Sequence, residues 1–203
     1  MSDGKPLIVG LGGTMTANSS SERVLRHVLS ACEASGAKTL CFDGQALDVP
    51  MYGYGTPRTA KAAALIDGLR AADGIIIASP GYHGTVSGLI KNALDYVEDM
   101  SRDARPYFEG RAVGLISVAA GWQATGTTLA TLRSIVHALR GWPTPMAVTV
   151  NSVMPVFGDD GTVSDATLAK QLDVLAGQVV GFARMRALDD LASAVSAAET
   201  QEG

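Results

Sequence analysis

The chain's 203 residues suffice for one well-packed domain and are few for two, and nothing in them reads as a linker. Apolar residues make up 47% and charged residues 18%, which excludes wholesale disorder, and a net charge of −4 with no basic stripe argues against nonspecific nucleic-acid binding. No apolar run approaches membrane-spanning length and Met1–Pro6 is too short and polar for a secretion signal, so no membrane partner and a soluble, cytoplasmic protein are expected.

The first apolar run, Leu7-Ile8-Val9-Gly10-Leu11, has the pattern of a buried strand and stops at Gly12-Gly13. Hydroxyls follow at Thr14, Thr16, Ser19, Ser20 and Ser21, and a helix is predicted from near Ser20 to Ala34, ending at Gly36. A strand that gives way to glycines, hydroxyls and a helix start presents backbone N–H groups to an anion. It is not a Walker loop, which needs a lysine before Ser or Thr at the helix start, nor a dinucleotide fingerprint, which needs a third glycine at the helix entry. Ser19 to Ser21 could simply cap a helix, but with Thr14 and Thr16 they exceed what one cap requires, and a phosphate cradle is the reading we prefer.

Lys38 to Phe42 is the second predicted strand. Cys32 in the first helix and Cys41 in this strand lack metal-type spacing and are expected to be small buried side chains. Asp43 to Pro57, rich in Gly, Pro and Tyr, is expected to be a surface loop in which Tyr52 or Tyr54 could line a ligand mouth. A helix over Thr59–Ala72 precedes Gly74-Ile75-Ile76-Ile77-Ala78, a strand apolar on both faces. Then come a helix over Val86–Met100, a strand over Val113–Val118, a helix over Thr127–Leu139 and a strand over Met146–Val150. After a turn-rich crossing, the last helix starts at Asp165 and ends in a polar tail.

Five strands separated by helices make an α/β, doubly wound three-layer sandwich with a five-stranded parallel sheet. We expect one domain over residues 1–203, with a core over about 6–185, and the flavodoxin-like strand order 2-1-3-4-5. Ligands would then bind beyond the carboxyl ends of strands one and three. The loops after those strands are indeed the ones rich in Gly and hydroxyl residues. The second, Ser79 to Gly88, offers Pro80, Gly81, Tyr82, His83 and Gly84 to a flat ligand, and the loop after strand four, Ala119 to Gln123, adds Gly121 and Trp122. One loop for phosphate and two for a ring system suggest a mononucleotide-like cofactor with a planar head.

Ser79-Pro80-Gly81-Tyr82-His83-Gly84-Thr85, continuing through Gly88, Lys91-Asn92-Ala93-Leu94 and Asp95, resembles the flavin signature of the NAD(P)H-dependent FMN reductases. Gly13, Thr14, Ser19 and Ser21 are similar to that family's phosphate site. The resemblance implies that Thr14, Ser19 and Ser21 hold the phosphate of FMN, and that Pro80 to Gly84 run along its ring, mostly through backbone groups. It also implies hydride transfer from C4 of NADPH or NADH to N5 of FMN, so no catalytic side chain is required. It implies a homodimer or homotetramer, for which the small residues Gly88, Ala93, Gly126 and Ala130 leave room.

Three positions depart from the family pattern. Thr16 replaces its phosphate-loop arginine, with Arg23 as a candidate replacement; His83 replaces a frequent asparagine; Ala119 to Gln123 replaces a glycine-rich loop. The missing arginine leads us to expect loosely held FMN, released reduced to a flavin-dependent monooxygenase. Rival readings are a quinone, azo or chromate reductase with bound FMN, and a flavodoxin-type electron carrier. Carriers surround their flavin with acid, whereas Ser79 to Lys91 contains no Asp or Glu.

Overall fold

In the computed structural model, residues 4–202 are described, with side chains through residue 196. The chain runs β1 (Leu7–Gly12), α1 (Ser20–Ala34), β2 (Lys38–Phe42), α2 (Ala60–Ala71), β3 (Gly74–Tyr82), β4 (Thr85–Val86) and α3 (Gly88–Asp95). It continues through β5 (Ala112–Ala119), α4 (Trp122–Ala138), β6 (Trp142–Pro143), β7 (Val148–Asn151) and α5 (Ala166–Glu202).

The parallel core of the sheet has the order β2-β1-β3-β5, as a flavodoxin-like winding requires. Beyond β5 the expected fifth strand is β7, preceded on the same side by the short unexpected strand β6, so that with β4 the sheet has seven strands rather than five. β6 pairs with Ala112 and Val113, and β7 with Ile116 to Ala119. Pro143 ends β6 and Pro145 lies in the gap before β7; proline has no N–H for the ladder, which confines it to edges and interruptions. The other extra strand, β4, folds back antiparallel onto the end of β3.

Alternation along the central strands sorts the core into two layers. Val9, Ile75, Ile77, Val113 and Leu115 face Leu65, Leu69, Ile90 and Leu132 on one side. Ile8, Ile76 and Ile116 face Val24, Leu25, Val28, Leu172, Leu175 and Val179 on the other. Each buried side chain of this size contributes roughly 1.5–3 kcal/mol, so the sheet is a stiff base for the loops at its carboxyl edge.

Several boundaries differ from the sequence reading. The helix expected over Val86–Met100 is α3 followed by a tighter 3-10 turn, Tyr96–Met100, because Val86 pairs in β4 and Ser87 caps α3 through Ile90 N–H at 3.2 Å. α4 begins five residues before the expected Thr127, for Gly126 and a run of threonines have weak helix propensity yet Thr125 and Thr127 bond back to the Trp122 and Gln123 carbonyls. The expected polar tail continues α5 to Glu202. Cys32 is buried and its thiol is pushed up to about 12, mainly by burial and then by Glu33, whereas Cys41 is exposed on the edge strand β2, which corrects the expectation for that residue. Among the described residues no helix is long and apolar enough to cross a membrane.

Candidate functional site

Gly13 joins the two loops expected to form the site. Its N–H donates to Ala78 O at 2.9 Å, tying the residue after β1 to the middle of β3. A Cβ at Gly13 would lie 2.7 Å from Pro80 Cδ, 2.7 Å from Ile90 Cγ1 and 2.9 Å from Ser87 Oγ. Only a glycine lets the first loop lie this close against the second.

From there the first loop is braced by its own side chains. Thr14 is buried, and its Oγ1 accepts the Thr16 N–H at 3.1 Å. Ser19 caps α1, its Oγ accepting the Glu22 N–H at 3.3 Å and lying 3.2 Å from the Oγ of buried Ser21. Ser20 is half-buried and Thr16 exposed. N–H groups in the first turn of a helix have no intrahelical acceptor, so Ser19 to Ser21 put donors and hydroxyls on one anion-receptive end. Asn18 adopts a left-handed φ of 56° and its N–H donates to the Glu22 carboxylate. Glu22 also pairs with Arg26, which donates to Asn18 Oδ1 at 3.2 Å. Arg23, the expected replacement cation, instead stacks on Phe157, 5.3 Å from the ring centre, beside Gly161. The cation attached to the loop is Arg26, which the sequence reading passed over because it lies two turns into the helix.

The second loop is held by its backbone. β3 extends through Tyr82, and Tyr82 pairs with Thr85 across the two-residue turn His83-Gly84. Both turn residues have positive φ, 52° and 84°, which marks a tight mirror-image turn of the kind Asn-Gly usually forms. Histidine is among the few other residues that visit this region readily, so His83 can hold this turn. Ser79, fully buried, donates to Pro80 O and accepts the Ser87 N–H at 3.1 Å, fastening both ends of the hairpin. Tyr82 and His83 are exposed at its tip, and Pro80 is buried against Gly13.

The third contribution is shorter than expected. Gly121 precedes the first helical residue of α4, Trp122, so only Ala120 and Gly121 link β5 to the helix. Between this link and the hairpin lies an open cleft of about 550 Å³, lined by Gly81, Gly84, Ala119, Gly121, Gln123 and Thr127 among others. Trp122 does not line it; it faces a neighbouring depression with Asn151, Met154 and Leu168. Behind Gly81 stands Thr128, fully buried, whose Oγ1 has no hydrogen-bond partner and lies 2.8 Å from where a Gly81 Cβ would be. Thr127 and Thr128 escaped the sequence reading because the start of α4 was placed after the site.

The motif residues beyond the hairpin hold a fourth loop in place. Asn92 Oδ1 accepts the Tyr52 N–H at 2.8 Å, and its amide donates to Pro50 O at 3.0 Å. Lys91 pairs with Asp95 at 2.6 Å on the helix surface. Tyr52 turns inward against Tyr96, with ring centres 5.3 Å apart, so it anchors this loop and does not line a mouth; Tyr54 is exposed. Arg58 covers both rings and grips Asp99 at 2.7 and 2.8 Å. The Arg58 guanidinium holds the Asp99 carboxyl below the usual carboxylate range.

Residues 6–154 match the family model described as NADPH-dependent FMN reductase. An FMN-dependent NADPH-azoreductase of Staphylococcus aureus is 32% identical over 114 residues, which are 55% of this chain and 57% of the relative, so the chain spans little more than half the length of the curated relatives it matches. Among solved structures, an NADH:FMN oxidoreductase in its apo form superposes with a TM-score of 0.66 at 19% identity, covering 86% of this chain and 90% of that one. The NAD(P)H:(acceptor) oxidoreductase FerB of Paracoccus denitrificans superposes with a TM-score of 0.65 at 20% identity, covering 89% and 98%. At such identities these structures establish the shared fold.

Proposed function

The chain belongs to the NADPH-dependent FMN reductase family, and on that premise we propose that it is an NAD(P)H:FMN oxidoreductase with the flavin seated across the loops after β1, β3 and β5. The observation that carries this reading is the Gly13–Pro80 contact, which sets an anion-receptive helix start beside a flat, open cleft at one edge of the sheet. FMN, when bound, would supply the hydride-accepting redox chemistry that the chain's own side chains lack.

The residues fit that group. Thr14, Ser19, Ser20 and Ser21 offer hydroxyl and N–H donors for the phosphate, with exposed Thr16 at the loop's outer side. Pro80, Gly81, Tyr82, His83 and Gly84 offer a stiff hairpin along one edge of the ring, and Gly121 leaves the opposite edge open. Thr128 holds an unpartnered buried hydroxyl immediately behind Gly81. The chain's task is to position two planar groups and exclude water between them, which needs no acid or base from the protein.

The family description favours NADPH as donor. Steady-state oxidation of NADPH and NADH, with FMN and with riboflavin, tests the proposal: turnover that needs FMN supports it, and no turnover with either nucleotide overturns it. An azo or quinone acceptor is the second reading, favoured by the similarity to the azoreductase, and the same assay with those acceptors separates the two. An electron carrier would bind FMN and leave NADPH untouched.

We further propose that the chain works as one domain in a cytoplasmic homodimer or homotetramer, a reading supported by the unpaired Cys32 and Cys41 and by the exposed Gly88, Gly126 and Ala130; Ala93 is buried in its own subunit and plays no part in it. Thr16 in place of arginine supports weak retention of FMN and delivery of reduced flavin to a monooxygenase.

A further inference from the structure

Two anions compete for the start of α1. Glu22 stands in its first turn, nine-tenths buried, and its carboxylate accepts the N–H of Asn18, inside the loop between Thr16 and Ser19. The positive end of the helix and the loop's donors are therefore partly spent on a carboxylate before any phosphate arrives. Arg26 offsets this: it pairs with Glu22 and reaches Asn18 Oδ1, closing a ring of three side chains and one backbone N–H around the loop. Its side chain is 57% exposed, so it is tethered there rather than enclosed.

We propose that the Asn18–Glu22–Arg26 ring sets how tightly this loop takes the terminal phosphate of a flavin, Glu22 weakening the hold by charge repulsion and Arg26 strengthening it as the cation the loop otherwise lacks. This deepens the flavin reading and rests on it. Nothing covalent is involved. The cation nearest this loop is present, but half-engaged by the neighbouring acid.

The test compares FMN with riboflavin, which has the same ring and no phosphate, by fluorescence titration of the intact chain and its variants. Glu22→Gln keeps the capping geometry, because Gln can still accept the Asn18 N–H, and removes only the charge. It should tighten FMN about five- to tenfold and leave riboflavin unchanged. Arg26→Gln, on the exposed face of the helix, should weaken FMN by a similar factor and again spare riboflavin. If either variant shifts FMN and riboflavin together, or if FMN affinity stays put in both, the proposal is overturned while the flavin site stands. If the parent chain binds neither flavin, the site reading falls and takes this proposal with it.

Discussion

The loops after β1 and β3 face each other across one glycine and are held in opposite ways. Residues 79–88 owe their shape to backbone geometry: a two-residue turn with both φ values positive, and Ser79 fastening the hairpin to the cap of α3. Residues 13–21 owe theirs to side chains, from Thr14 and Ser19 to Glu22 and Arg26. A loop fixed by backbone angles restricts which residues can occupy it, so its sequence is stereotyped. A loop fixed by side chains can exchange one charge for another and keep its path.

The contrast breaks most completely where the loops touch. Gly13→Ala would drive a methyl into Pro80 and Ile90 at 2.7 Å, a distance that real contacts do not reach. Overpacking of this kind costs about 1–3 kcal/mol, and the chain must yield by parting the loops. We expect a lowered urea midpoint together with FMN binding reduced more than about tenfold, since phosphate and ring sites would no longer be in register. An unchanged midpoint would show that the loops are not in contact.

Asn92→Ala probes the support beneath the hairpin without touching either loop. It strips Tyr52 N–H and Pro50 O of their partner, for a cost of about 1–2 kcal/mol. The thermal midpoint should fall by a few degrees, while the ratio of FMN to riboflavin affinity stays at the parent value. A changed ratio would mean that the fourth loop reaches the phosphate.

A smaller effect, visible only through pH, belongs to Asp99. Its carboxyl is held low by Arg58, so the folded state favours the ionised form, and the stability this adds is present above the unfolded value and lost as pH falls through the folded one. Asp99→Asn should therefore cost up to about 1 kcal/mol at neutral pH, with the gap to the parent closing in acid. A gap that widens in acid would contradict the assignment of the pair. Calorimetry across that range provides the measurement.

These same residues show what a single sequence discloses. The winding and the two Gly- and hydroxyl-rich loops that meet at Gly13 were legible because hydrophobic period and turn chemistry are local. The split edge at Pro143 and Pro145 was not, since two short stretches sharing one neighbour look like a strand and a connection until β5 is placed beside them. Trp122 was misplaced because threonines that bond back to their own helix read as loop. Arg26 was passed over for Arg23 because three residues of helix rotate one toward Asn18 and the other toward Phe157, and no pattern in the sequence says which face the loop occupies.

The smallest predicted effect sharpens the contrast from the hairpin's side. At His83, φ is 52°, and asparagine tolerates the left-handed region better than histidine does. His83→Asn would restore the dipeptide that favours this turn and should stabilise the fold by about 0.5 kcal/mol, a rise in thermal midpoint of roughly one or two degrees. His83→Ala would remove the same imidazole but add strain, so the two variants separate backbone from side chain. If both lose NADPH oxidation alike while only the alanine loses stability, the imidazole acts on the ligand. If activity follows stability in both, position 83 serves the turn and its imidazole has no separate role at the ligand.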